Sequence, residues 1–227
     1  MINVAIDGPS GAGKSSIARQ IASKLGYVYV DTGALYRTVG LAAVRSGFDP
    51  KDSEKVVPML DFIKVELRYV DGEQRVFLNG EDVSEDIRLP EVSMAASGVS
   101  AIPAVRAFLF DLQRNIAAES NCLMDGRDIG TVVLPDADVK IFLTASPEVR
   151  AERRQKQLKE KGIDEPYENI LSDIIKRDYD DSHRETAPLK QAEDAVLVVT
   201  DNLDFDGSVQ AVIDIIKEKT QARQEQQ

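Results

Sequence analysis

The chain has 227 residues, 43% hydrophobic and 30% charged, with a formal net charge of −11 at pH 7. That length suits one α/β domain with insertions, and the composition can fill a core. The acidic balance argues against a nucleic-acid or anionic-membrane partner, because both need basic faces. A polyphosphate substrate would need cations as well, so any arginines that serve one must converge locally.

A single cysteine, Cys122, and a single histidine, His183, leave no intrachain disulfide and almost no donor set for zinc. Cys122 lies in the apolar run Asn121-Cys122-Leu123-Met124 and reads as a buried small hydrophobe. His183 has no visible partner and receives no role. No basic segment precedes the first apolar stretch, Asp7 interrupts that stretch early, and no run approaches the ~20 apolar residues of a membrane helix. A cytoplasmic location is expected.

In chain order, Met1 to Ile6 is an apolar run closed by Asp7-Gly8, which predicts a buried strand. Helical spacing of Ile17, Ile21, Ala22 and Leu25 predicts a helix over 14–25. Tyr27 to Val30 reads as a strand and Ala34 to Arg45 as a helix, so the opening rhythm is that of a parallel sheet covered by helices. Residues 60–90 differ: Val65–Val70 and Arg75–Leu78 alternate like half-exposed strands, and Asp71-Gly72 and Asn79-Gly80 are hairpin turn signals. Helices are expected near 90–99 and 103–119, each opened by a proline. Strands at 122–124, 139–143 and 195–199 and helices at 147–161, 166–182 and 209–219 complete the pattern. The polar tail from Gln221 has no apolar face and is expected to fray. The expected fold class is α/β, with a parallel sheet flanked by helices. A single domain is expected, with its core at 1–58, 98–149 and 167–220, a small antiparallel insert at about 59–97 and a helical lid at about 150–166.

The most specific local signal is Gly8-Pro9-Ser10-Gly11-Ala12-Gly13-Lys14-Ser15, a full match to G-x-x-x-x-G-K-S/T between a predicted strand and a predicted helix. Glycines let the backbone turn its N–H groups inward around a phosphate, and the following helix adds its positive dipole end. Lys14 can bridge the β- and γ-phosphates of ATP, and the Ser15 hydroxyl can ligate Mg2+. The motif names a triphosphate and leaves the acceptor open.

Three further clusters lie at the ends of predicted elements. Asp31-Thr32-Gly33-Ala34-Leu35-Tyr36-Arg37 follows the second strand, where α/β sheets build ligand sites, although Asp31 or Thr32 could equally cap a helix and Tyr36 could be core. Asp125-Gly126-Arg127-Asp128 ends another strand, with Asp125 where an acidic group near Mg2+ is common; a local ion pair at a turn is the alternative. Arg177, Asp181 and Arg184 share a helix face, as a phosphate clamp or as a solvated salt-bridge ladder. The charged helix with Arg150, Arg153 and Arg154 is either an outer helix or a lid that closes over the transferring phosphate. Arginine suits these tasks because its planar fork pairs with phosphate oxygens and keeps its charge.

Together with Ala95-Ala96-Ser97 and Asp128-Ile129-Gly130-Thr131, these clusters resemble the bacterial cytidylate kinases, a branch of the nucleoside monophosphate kinases, over nearly the full length. The resemblance implies a P-loop kinase fold, with residues 1–227 a single kinase domain, and phosphorylation of CMP, and of dCMP, by ATP with Mg2+, in a monomer that binds small nucleotides rather than nucleic acid or membrane. It implies that Gly8 through Ser16, including Pro9, Ser10, Gly11, Ala12 and Gly13, hold the ATP phosphates. It also implies that Ser97, Arg106 and Asp128 contact the cytosine edge and that Arg37, Arg127 and Arg184 hold the acceptor's phosphate. Arg177 and Asp181 would lie near the ribose and phosphate, with Thr32 and Tyr36 also on the substrate side. Lys14, Arg127 and Arg184 would be the catalytic set, and Ser15 the metal ligand. Thr32 stands where serine is also common, and Ser15-Ser16 replaces a frequent Gly-Thr; both keep hydroxyl chemistry. An Asp acceptor with Ser and Arg donors matches cytosine's amino group and ring acceptors, whereas uracil would set a carbonyl against the carboxylate. The remaining alternatives are a kinase for UMP, AMP or shikimate and a non-catalytic nucleotide-binding module. No N-K-x-D guanine-reading motif occurs, which counts against a GTP switch.

Overall fold

The computed structural model describes residues 1–70 and 73–224. In chain order it has β1 (Asn3–Asp7), α1 (Lys14–Leu25), β2 (Val28–Asp31), α2 (Thr32–Arg45), α3 (Ser53–Met59), β3 (Val65–Val70), β4 (Glu73–Leu78), β5 (Glu81–Asp82) and α4 (Pro90–Ser100). Then come α5 (Pro103–Glu119), β6 (Cys122–Gly126), β7 (Val139–Thr144), α6 (Pro147–Glu160), α7 (Tyr167–His183), β8 (Val196–Val199) and α8 (Phe205–Gln224). A π-turn, Ile129–Val133, follows β6. The chain divides into two compact units, one of residues 1–29 together with those from Ser120 onward, the other Val30–Glu119.

The first unit is built on a parallel sheet of order β2-β6-β1-β7-β8. β1 is central, so both its faces are covered and Val4, Ala5 and Ile6 are fully buried, which is why the strand reads as an unbroken apolar run. Its register pairs Ile6 with Asp125 and Asp7 with Gly126 on β6, and Asp7 with Phe142 on β7. Those pairings bring the carboxyl ends of β1 and β6 side by side, directly before the phosphate loop and the Arg127-Asp128 segment. On the sheet pack Ile17 and Ile21 of α1 and Val209, Val212, Ile213 and Ile216 of α8, spaced at helical intervals along buried stripes.

The second unit holds the antiparallel sheet β3-β4-β5 and the helices α2 to α5. Val65 pairs with Leu78 and Leu67 with Val76, and Leu78 pairs with Glu81 across a two-residue turn. That turn is Asn79-Gly80 with both φ angles positive, 52° and 85°, the twist that joins right-twisted strands best. The other expected turn, Asp71-Gly72, lies outside the described residues. Leu35, Val39, Val56, Val76, Val99, Val105 and Leu109 form the core of this unit.

Four details depart from the expectations. Residues 46–59 carried no predicted element, yet Asp52 caps Glu54 N–H and starts α3, which buries Val56 despite Pro58 inside it. The helix is too short for periodicity to show. α8 starts four residues earlier than expected because Asp204 accepts the Gly207 N–H at 2.7 Å and the Ser208 hydroxyl donates to its carbonyl. It also runs through Gln224, past the point where fraying was expected; residues 225–227 lie outside the described set. His183 does have partners: its ring stacks on Tyr179 with centroids 4.0 Å apart, and its Nδ1 lies 2.9 Å from the Tyr179 carbonyl oxygen.

Cys122 is fully buried, and burial pushes its thiol up to about 12, so it behaves as a hydrophobe. Among the described residues no single helix is long and apolar enough to cross a membrane. The adjoining pair α4 and α5 is apolar but bent by 100°, and its apolar side chains fill the second unit's core. Leu109, fully buried on α5, tests that core. Leu109→Ala is expected to lower the free energy of unfolding by about 2–5 kcal/mol, read as a fall in the urea midpoint.

Candidate active site

The phosphate loop leaves β1 at Gly8 and enters α1 at Lys14. Gly8 has φ 151°, and a Cβ there would stand 1.9 Å from the Leu143 carbonyl oxygen of β7, so the loop can leave the sheet this tightly only through glycine. Lys14 is 5% exposed, and its ammonium donates to the Pro9 carbonyl at 2.7 Å, folded back on its own loop. Burial above all, and then the nearby Arg127 guanidinium, pull its pKa down, while Asp125, Asp7 and Asp181 pull it back up, and the balance leaves it at about 7.

Ser15 donates to Asp125 Oδ2 at 2.8 Å, and the Tyr29 hydroxyl donates to Asp125 Oδ1 at 2.9 Å. Asp125 is buried, so both its oxygens are oriented by these donors. A serine oxygen beside a carboxylate is a hard donor set of the kind Mg2+ accepts together with water and phosphate oxygens. Among the described residues no three His, Cys, Asp or Glu gather as a metal cage, so an ion here would take most of its ligands from outside the protein.

Beyond the β6 end, Arg127 Nε donates to Asp181 Oδ2 of α7 at 2.8 Å. Burial would push the Asp181 carboxyl up, but Arg127, with Arg177 and Arg184 adding their charge, holds it below its ordinary value. Arg184 lies 3.8 Å from Asp128 Oδ1 and donates through Nε to the Ala187 carbonyl at 2.7 Å. Ala187 is one of the few non-glycine residues with a positive φ, 48°, which turns that carbonyl toward the guanidinium. Lys14, Arg127, Arg177 and Arg184 are thus interleaved with Asp7, Asp125, Asp128 and Asp181. The local convergence of cations demanded by an acidic chain is present within this unit.

In the second unit Thr32 is buried at the start of α2, and Tyr36 packs against the core with the Arg106 guanidinium 5.5 Å from its ring centroid. Arg37 Nη2 donates to Asp31 Oδ2 at 2.8 Å, while its buried Nε finds no hydrogen-bond partner among the described residues. Asp31 also caps α2 by accepting from Ala34 N–H at 2.9 Å, so it serves the helix and Arg37 at once. Ser97 is half-buried on α4; Arg106 of α5 is buried and reaches back to the Ser100 carbonyl at 3.4 Å.

The three arginines of α6 sit in three different environments. Arg150 is buried: its Nε donates to the Ala145 carbonyl at 2.8 Å, its Nη1 to the Ser10 carbonyl at 3.0 Å, and its fork grips Asp178 of α7. It braces the phosphate loop from behind, because the first turn of α6 passes directly over Ser10 and Gly11. Arg153 is tied to the hydroxyl and carbonyl of Thr200 at 3.1 and 2.7 Å. Only Arg154 is exposed. Residue types and helical spacing cannot distinguish a brace from a clamp; the difference arises from which strand end the helix crosses.

Lys14 also gives the free protein a pH signature. Its pKa is about 7 in the folded protein against 10.5 in an unfolded chain, so between those values the unfolded state holds more protons and stability rises with pH. The urea midpoint is expected to climb from about pH 7 to about pH 9, and Lys14→Met to flatten that climb.

Comparison with known proteins agrees with this geometry. The family model described as cytidylate kinase matches residues 4–218. The chain is 50% identical over 214 residues to a cytidylate kinase of Caldicellulosiruptor bescii, covering 94% of this chain and 95% of that one. It is 48% identical over 219 residues to a cytidylate kinase of Lactobacillus johnsonii, covering 96% and 95%. A crystal structure of an uncharacterized protein from Eubacterium ventriosum ATCC 27560 shares the fold at TM-score 0.53 and 12% identity, covering 96% of this chain and 99% of that one. An α/β sheet with a phosphate loop at its centre, arginines gathered at the adjacent strand end and relatives at half identity over nearly the whole length lead to one assignment: the chain belongs to the cytidylate kinase family.

Proposed function

We propose that the protein transfers the terminal phosphoryl group of ATP to CMP, and to dCMP, by direct in-line displacement. The observation that carries this reading is the buried cation cluster around Lys14, which a triphosphate and an acceptor phosphate would complete. Gly8 through Ser16 wrap the ATP phosphates with backbone N–H groups, and Lys14 spans the β- and γ-phosphates. Their negative charge lifts its pKa, so the bound lysine is fully charged. Ser15 and Asp125 are the residues that would hold Mg2+, whose chemistry is to neutralise charge on the triphosphate.

Within the first unit, Arg127 and Arg184 take the acceptor's phosphate, Arg177 and Asp181 its ribose and phosphate, and Asp128 the cytosine amino group. Within the second, Arg37 takes the phosphate through the fork that still has a free Nε, Ser97 and Arg106 take the base, and Thr32 and Tyr36 line the substrate side. Arg154 is the residue of α6 with freedom to close over the phosphates, while Arg150 and Arg153 hold the frame.

The reaction needs no general base. An oxygen of the acceptor phosphate, already anionic, attacks the γ-phosphorus as the bond to the β–γ bridging oxygen breaks, and ADP leaves with that electron pair. The protein's contribution is alignment and charge neutralisation by Lys14 and the arginines. Uracil places a carbonyl where cytosine has its amino group, so Asp128 would face an acceptor and UMP would bind poorly. The acidic surface fits a monomer that works on free nucleotides in the cytoplasm.

Arg127→Ala is expected to lower turnover by at least about 100-fold with an unchanged circular dichroism spectrum. Near-normal turnover would remove Arg127 from the site. With ATP and Mg2+, a coupled ADP assay across CMP, dCMP, UMP, AMP, GMP and shikimate is expected to give product from CMP and dCMP first. Product from AMP alone, or from no acceptor, would overturn the assignment.

A further inference from the structure

Asp7 is 4% exposed, and the catalytic scheme does not use it. Both of its carboxylate oxygens are committed to backbone: Oδ1 accepts the Ile129 N–H at 2.7 Å and Oδ2 the Gly130 N–H at 2.7 Å. These two N–H groups open the π-turn Ile129–Val133 and have no partner inside it, as at the start of any helical turn. A carboxylate from outside satisfies both at once and sits where the turn's peptide dipoles favour negative charge. The other anchor of the turn is Asp128 itself, whose carbonyl accepts from Val132 at 2.9 Å and Val133 at 3.2 Å. The Arg127-Asp128 segment is therefore held by its own strand on one side and by an Asp7-capped turn on the other.

Asp7 is also the residue immediately before Gly8, with its backbone registered against Gly126 across β1 and β6. One side chain thus fixes the segment carrying Arg127 and Asp128 to the base of the phosphate loop, across more than a hundred residues of sequence. It does so at a cost: burial pushes its pKa up to about 6 against the lowering effect of the two N–H groups.

We infer that Asp7 is a positioning residue for acceptor recognition, setting where the Arg127 guanidinium and the Asp128 carboxylate stand relative to the phosphate loop. This inference rests on the reading of Arg127 and Asp128 as acceptor-binding residues. It separates the two substrates: the N–H groups that wrap ATP belong to the loop itself, whereas the acceptor residues depend on the capped turn.

Two substitutions test it from opposite sides. Asp7→Asn keeps the shape but turns an amide NH2 toward a backbone N–H, donor against donor. Gly130→Ala leaves Asp7 intact and puts a Cβ 3.3 Å from Asp7 Oδ2 and 3.2 Å from the Lys140 side chain, so the carboxylate and the turn it caps must part by a few tenths of an ångström. Each is expected to lower kcat/KM for CMP, measured at saturating ATP, by about 10- to 100-fold, with the binding of a non-hydrolysable ATP analogue weakened by less than about 3-fold, since removing the Asp7 charge near Lys14 can only favour a triphosphate. A general loosening of the fold would instead weaken both nucleotides together. Equal losses for CMP and the analogue, or an unchanged kcat/KM for CMP in D7N, would overturn the inference. Should D7N fail to fold, G130A decides on the same split. The underlying base reading is tested separately by Asp128→Asn: an undiminished preference for CMP over UMP there would remove Asp128 as the base reader, without altering how the CMP-against-ATP split is scored.

Discussion

A buried ammonium group beside a guanidinium is the constraint around which the molecule is organised. Lys14 is nearly inaccessible to water, donates to the Pro9 carbonyl of its own loop, and lies near Arg127. Both the loss of water and the neighbouring charge disfavour its protonated form. The surrounding carboxylates offset this only in part, which is why the lysine is held well below its ordinary pKa. Such a cluster is poised for an anion: a phosphate supplies the missing countercharge, and the interaction is strong because little solvent screens it.

Sheet topology makes the cluster possible. With β1 central and β6 and β7 on either side, three segments distant in sequence end at the same edge of the sheet. β1 delivers the phosphate loop, β6 delivers Asp125, Arg127 and Asp128, and α7 with the residue that follows it lays Arg177, Asp181 and Arg184 against them. Asp181 is what lets the arginines coexist, and Arg150 pins Ser10 of the loop to Asp178 on the same helix. Each like-charge contact is matched by a carboxylate one residue or one turn away. These pairings give each arginine a carboxylate that orients it, which serves alignment of the reacting groups.

The parts of this design that are local in sequence were legible there. The phosphate loop announces itself by residue type and spacing, the parallel strands by continuous apolar runs, and the β4–β5 turn by Asn79-Gly80 with its two positive φ angles. The spacing of Arg177, Asp181 and Arg184 suggested one helix face; Arg177 and Asp181 do lie on α7, whereas Arg184 follows its last turn in extended backbone and still brings its charge to Asp181 and Asp128. What could not be read depends on register and on which element crosses which. Asp7 looked like the end of a strand, because its partners, Ile129 and Gly130, are more than 120 residues away. Arg150 looked like its neighbours on a charged helix, and only the path of α6 over the phosphate loop makes it a brace. Tyr29 passed as a strand residue, although its hydroxyl orients Asp125. His183 was left without a partner because the one it has, Tyr179, is a turn earlier on an exposed face. The start of α8 was hidden by Gly207, which reads as a breaker but here donates to a capping Asp204.

Membership of the cytidylate kinase family and the charge geometry are independent observations with one implication: the phosphate loop is incomplete without an anion. The most direct measurement is an NMR titration of the Lys14 ε-ammonium, in the free protein and with a non-hydrolysable ATP analogue bound. The account predicts a midpoint near 7 without nucleotide and a rise toward the ordinary lysine value of 10.5 when the triphosphate is present. A midpoint already near 10.5 in the free protein, or one that does not move on binding, would contradict it.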